Sequence, residues 1–121
     1  MAARILVVDD DESMRELLRM HLASAGYEVS TAADAISAGY LVLKNPPDLI
    51  LSDVNMPHMD GFEFVAALKS DKTLPDIPVI FLTSLEEGDV RGKELGAVGY
   101  LTKPVSRDRL LALVAQHCPG A

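Results

Sequence analysis

Five short apolar runs punctuate the chain: RILVV at 4–8, YEVSTA at 27–32, DLILS at 48–52, PVIFLT at 78–83 and VGYLT at 98–102. Their Val, Ile, Leu and Tyr content predicts strands. RILVV, DLIL and VIFL are nearly continuous rather than alternating, as in strands buried on both faces of a parallel sheet. Between the runs the apolar period lengthens to that of a helix. Met14, Leu17, Leu18, His21 and Leu22 form one stripe, Phe62, Val65, Ala66 and Leu68 another, and Leu110, Leu111, Val114 and Ala115 a last. Gly26, Asn45-Pro46-Pro47 and Pro119-Gly120 supply breaks, and Asp60 is a candidate N-cap.

Strand and helix therefore alternate five times. Such alternation specifies right-handed βαβ crossovers and an α/β fold: a flavodoxin-like, doubly wound, five-stranded parallel sheet of order 2-1-3-4-5 with five helices. Sheets of this kind bind ligands outside the carboxyl ends of their strands, at the switch point between strands 1 and 3.

Chemistry-bearing side chains collect at those ends. Strand 1 runs into Asp9, Asp10 and Asp11, strand 3 into Asp53, strand 4 into Thr83 and Ser84, and strand 5 into Thr102, Lys103 and Pro104. One aspartate suffices to cap a helix, so three in succession need another reason. Crowded carboxylates raise one another's pKa unless a cation neutralises them. A Mg²⁺ ion answers that need, since it takes oxygen ligands and is usually held by one or two carboxylates together with a phosphate. Asp10 and Asp53 are the expected carboxylate ligands, with Asp9 holding a metal-bound water. Beside a Lys and a Thr, this set suits phosphoryl transfer to a carboxylate, with Asp53 as nucleophile, Lys103 pairing first with the carboxylate and then with the phosphoryl group, and Thr83 bonding another oxygen. Backbone N–H groups after Asp53 and Thr83 could complete the cradle.

Composition narrows the field. The 121 residues suit one domain, and with 49% hydrophobic and 24% charged residues the chain can bury a core. A formal charge of −7 argues against direct nucleic-acid binding. The single cysteine, Cys118, reads as an incidental surface thiol in a loose tail. No apolar run approaches the ~18 residues of a membrane span, and the start lacks a signal-peptide pattern, so a cytoplasmic protein without membrane contact is expected.

ILVVDDDESMRELL, DLILSDVNMPHMDGFEF, PVIFLTS and GYLTKP together resemble the receiver domains of bacterial two-component response regulators, over essentially the whole chain. The resemblance implies a single receiver domain over 1–121 with no output domain on this chain. It implies that Asp53 is the phosphoacceptor, that Asp9, Asp10, Asp53 and the backbone carbonyl of Asn55 hold Mg²⁺, and that Thr83 and Lys103 assist. Tyr100 matches the family's aromatic switch. A histidine kinase or histidine phosphotransfer protein would donate the phosphoryl group, and a downstream protein target would read the altered surface of helix 4, strand 5 and helix 5. That surface could also support a phosphorylation-dependent homodimer. Such a protein catalyses its own aspartyl phosphorylation and slow dephosphorylation and is not a turnover enzyme.

Two other readings compete. Asp9, Asp11 and Ser13 spell the DxDx[ST] signature of haloacid-dehalogenase phosphatases, which would make Asp9 the nucleophile; a receiver-like docking module that is never phosphorylated is the other. Four local expectations remain. Gly88, Gly92 and Gly96 predict a short or labile fourth helix ending at Gly96. Leu85 cannot orient an attacking water, which predicts a long-lived phosphoryl group. Val98-Gly99 could give a modestly apolar docking surface, and His58, His21 and His117 lack ligand-like partners.

Overall fold

The computed structural model describes residues 2–56, 59–83 and 96–118. The expected fourth helix, Leu85, His58 and Pro119-Gly120 lie outside the described residues. Among the described residues, nine elements run in the order β1 (Arg4–Val8), α1 (Glu12–Ser24), β2 (Glu28–Ala32), α2 (Ala35–Lys44), β3 (Leu49–Asp53), α3 (Gly61–Ser70), β4 (Val79–Thr83), β5 (Gly99–Thr102) and α4 (Arg107–His117). Helix α4 is the fifth helix of the sequence reading. All four strand pairs are parallel, and the sheet order is β2-β1-β3-β4-β5, as the alternation predicts.

Burial follows the strand period. In β1, Ile5 and Val7 face one side, where Leu49, Leu51, Ile80 and Leu82 join Leu18 and Leu22 of α1 and Leu110 and Val114 of α4. Leu6 and Val8 face the other, where Ile50, Val79 and Phe81 pack on Ala38 and Val42 of α2 and Phe62, Phe64 and Val65 of α3. Both faces of β3 and β4 are fully buried, which explains their unbroken apolar runs. Asp11, Asp34, Asp60 and Ser106 cap the four described helices, and Asp60 and Glu63 form a reciprocal capping box.

Several positions depart from the sequence reading. Leu17 is 43% exposed, because α1 meets the sheet through the i, i+4 pair Leu18 and Leu22. In α3, Phe64 is buried where Ala66 is exposed, since this helix packs on α2 as well as on the sheet. Cys118 is no surface thiol: it is 3% exposed, sits in the α1–α4 core and donates its backbone N–H to Val114 O at 2.8 Å. Gly99 serves packing, since a β-carbon there would come within 2.9 Å of the Leu113 side chain. Gly96 has φ +79°, the left-handed conformation expected of a glycine that ends a helix.

Candidate functional site

Register aligns the strand ends. Val8 pairs with Ser52, so the next residues, Asp9 and Asp53, emerge at one level, and Asp53 in turn lies opposite Leu82, one residue before Thr83. The three consecutive aspartates then divide their work. The Asp11 carboxylate accepts from Ser13 N at 2.9 Å and Met14 N at 3.3 Å and is occupied as the α1 cap. Asp9 is fully buried and accepts the Asp11 N–H at 2.9 Å, whereas Asp10 is exposed. Capping thus accounts for one carboxylate and leaves two for the rim. It also weighs against the DxDx[ST] phosphatase reading, whose second aspartate is engaged in a structural bond.

Asp9, Asp10 and Asp53 each offer a carboxylate oxygen within 4.8 Å of the others. Lys103 Nζ lies 3.1 Å from Asp9 Oδ2 and 3.4 Å from Asp53 Oδ2. Despite that ion pair, Asp9 Oδ2 receives no well-aligned hydrogen bond. Burial, and then the neighbouring Asp9 charge, push the Asp53 carboxyl up from 3.8 to about 6, against the opposing pull of Lys103 and of the Asn55 N–H bonded to Asp53 Oδ1 at 3.3 Å. Burial works against the Lys103 ammonium, yet the two carboxylates outweigh it and hold its pKa above the ordinary lysine value. One ammonium therefore leaves the acidic cluster under-neutralised. A buried oxygen without an aligned donor beside a carboxylate that resists ionisation fits a divalent cation bound by oxygen ligands.

The surrounding backbone is tied down. Lys103 N–H donates to Thr83 O at 2.9 Å, which locks the β5 exit to the β4 end, and Thr83 is itself buried. Val54 N–H is taken by Leu82 O at 3.1 Å, so after Asp53 it is Asn55 that turns its N–H toward the carboxylate; Ser84 lies outside the described residues. Tyr100 stacks on Phe81, centroids 6.2 Å apart, and Phe81 meets Phe62 edge-on at 4.9 Å.

Three contributors escape the sequence reading. Arg15, one turn into α1, donates from Nη1 to the Asp9 carbonyl at 2.8 Å; its place four residues after the Asp11 cap was the only hint. Ser52 Oγ donates to Asp53 O at 3.1 Å. Gly61 approaches Asp53 so closely that a β-carbon would lie 2.2 Å from Asp53 O. The glycine of MDGF could have signalled that approach.

Comparison with known proteins places this geometry. Residues 5–115 match the family model of the response regulator receiver domain, and the chain belongs to that family. It is 47% identical over 116 residues to response regulator PleD of Caulobacter vibrioides, covering 94% of this chain and 26% of that protein. It is 40% identical over 113 residues to the DNA-binding dual master transcriptional regulator RpaA of Synechocystis, covering 92% of this chain and 47% of that one. The chain thus spans about a quarter to a half of these curated relatives. Among solved structures, the chemotaxis response regulator CheY4 of Vibrio cholerae superposes with a TM-score of 0.90 at 41% identity, over 96% of this chain and 98% of that one. The receiver domain of NtrX from Brucella abortus gives 0.87 at 30%, over 97% and 99%. The present chain is a phosphoacceptor receiver domain of two-component signalling, and the phosphatase reading is not favoured.

Proposed function

We propose that the chain accepts a phosphoryl group on Asp53, within a single receiver domain spanning 1–121, from a phosphohistidine on a histidine kinase or histidine phosphotransfer protein. The observation that carries this reading is the convergence of buried Asp9 and Asp53 on Lys103 at 3.1 and 3.4 Å beside Asp10. In the transfer an Asp53 carboxylate oxygen forms the new O–P bond. The N–P bond of the phosphohistidine breaks, and the imidazole nitrogen keeps the electron pair.

Asp9, Asp10, Asp53 and the backbone carbonyl of Asn55 would hold Mg²⁺, which when bound supplies charge neutralisation for the phosphoryl oxygens. Lys103, already paired with both carboxylates, exchanges its Asp53 contact for a phosphoryl oxygen, and Thr83 bonds another. Arg15 and Ser52 fix the Asp9 and Asp53 backbones, and Gly61 lets α3 begin against Asp53. Displacement of Thr83 toward a new dianion frees space for Tyr100 to leave its stack on Phe81, which alters the surface of the expected fourth helix, β5 and α4 for a downstream protein target or a phosphorylation-dependent homodimer. The chain catalyses its own modification without turnover of a separate substrate. No described helix is long and apolar enough to cross a membrane. The −7 charge supports a domain that does not bind nucleic acid directly, and we read its place as the cytoplasm, without membrane contact.

Incubation with Mg²⁺ and either acetyl phosphate or a generic phosphate ester tests the reading. A receiver takes up about one equivalent from acetyl phosphate and leaves the ester intact. Continuous phosphate release from the ester, abolished by Asp9→Asn, would restore the phosphatase reading.

A further inference from the structure

Six large apolar side chains are exposed among the described residues, and four of them, Ile36, Tyr40, Leu41 and Leu43, lie on α2. Tyr40 is 71% exposed and Ile36 60%. Ile36, Tyr40 and Leu43 fall at helical spacing on one outward face, and no charged residue interrupts α2 between its Asp34 cap and Lys44. Alongside runs a groove of about 290 Å³ between α2 and α3, floored by Phe64, Leu68 and Leu74. At its rim stands Gly39, where an added β-carbon would meet nothing within 4 Å. A glycine inside a helix weakens it, and within the monomer no close contact accounts for this one.

We propose that this face pairs with the same face of a second copy, the two α2 helices antiparallel across a two-fold axis between Gly39 and Tyr40. A two-fold contact is self-complementary, so each pairwise contact occurs twice, once in each direction across the axis. In that register Tyr40 lies over Gly39 of the second copy, the large side chain over the bare backbone, and Ile36 meets Leu43. Ala35 lies opposite Lys44, which brings that ammonium within reach of the Asp34 end of the other helix at both edges. Antiparallel alignment also sets the positive end of each helix dipole beside the negative end of the other. The −7 charge of the domain opposes self-association in general, but this face carries one charge of each sign at its two ends.

Helix α2 packs with α3 on the sheet face away from α1 and α4, and at the β2 edge rather than beside β5. The contact therefore forms without phosphorylation, independently of the function proposed for Asp53.

Sedimentation equilibrium of the whole chain in EDTA, without phosphodonor, tests the pairing. The average mass should rise with concentration from 13.0 kDa toward twice that value. Tyr40→Lys should remain monomeric to about 1 mM, and Lys44→Glu should weaken the dimer several-fold. Gly39→Ala should move two readouts in opposite directions: a higher melting temperature, because alanine favours the helix and has room, and a dimer weakened about tenfold. A wild-type chain that stays monomeric throughout this range overturns the proposal. So does a dimer indifferent to Tyr40→Lys and Gly39→Ala, which would place association on another face.

Discussion

A β-carbon on Gly61 would stand 2.2 Å from the carbonyl oxygen of Asp53 and 3.0 Å from Val54 Cα. Both obstacles are backbone, so neither can swing aside as a side chain would. Gly61 N–H also donates to Val54 O at 2.8 Å, which draws the start of α3 against the end of β3. Gly61→Ala should therefore shift Asp53 itself, costing about 1–3 kcal/mol in urea unfolding and slowing phosphoryl uptake by at least about tenfold. Unchanged uptake would mean that the close approach has no bearing on the site.

The folded chain holds the Asp53 proton more tightly than the unfolded one, with a pKa of about 6 against 3.8. This carboxyl thus stabilises the metal-free fold fully below the unfolded value, and its contribution is lost as pH rises through about 6. At pH 8 the shift amounts to a penalty on the order of 2–3 kcal/mol. In EDTA, Asp53→Asn should unfold at higher urea than wild type at pH 8, with the advantage shrinking toward pH 4. Stabilisation of wild type by Mg²⁺ should grow over the same interval, because the cation favours the ionised form. A constant difference between the two chains from pH 4 to 8 would contradict the assignment.

Lys103 neutralises the carboxylates that a cation would otherwise share. Replacing it by methionine removes that competitor, so Mg²⁺ should bind up to about tenfold more tightly. Phosphoryl uptake should nevertheless fall by about a hundredfold, since the group meant to follow the transferred phosphoryl is gone. Titration of Mg²⁺ against thermal stability, alongside uptake from acetyl phosphate, reads the two effects separately. A parallel loss of both would instead make Lys103 chiefly a structural prop.

The strands were legible because β1, β3 and β4 are buried on both faces, and their apolar runs have no competing explanation. The candidate site was legible for a related reason: Asp9 and Asp53 follow directly on such runs and Thr83 ends one, so reading the strands located the carboxyl-end rim, to which Lys103 was added from the exit of the only partly buried β5. What stayed hidden depends on packing between elements. Phe64 is buried by the α2–α3 contact, and Cys118 by docking of α4 against the sheet, neither of which has a period in the sequence. The Arg15 bond to Asp9 O depends on the entry angle of α1, which the Asp11 cap sets. The exposed apolar face of α2 could not be told from a core stripe without knowing which side meets the sheet.

Cys118 offers a separate check on that packing. Burial, and then the nearby Asp48 charge, raise its thiol pKa. Its labelling by a disulfide reagent at pH 8 should require unfolding of α4 and slow by orders of magnitude relative to the denatured chain. Cys118→Ser should cost about 1–2 kcal/mol through the buried hydroxyl. Rapid stoichiometric labelling of the native protein would show that the end of α4 is not docked.

Intact-protein mass after incubation with Mg²⁺ and acetyl phosphate tests the central claim most directly. Wild type should gain a single phosphoryl group only when Mg²⁺ is present, Asp53→Asn should gain none, and Asp9→Asn should be strongly impaired. An adduct that survives Asp53→Asn but disappears in Asp9→Asn would contradict the account and move the nucleophile to the end of β1.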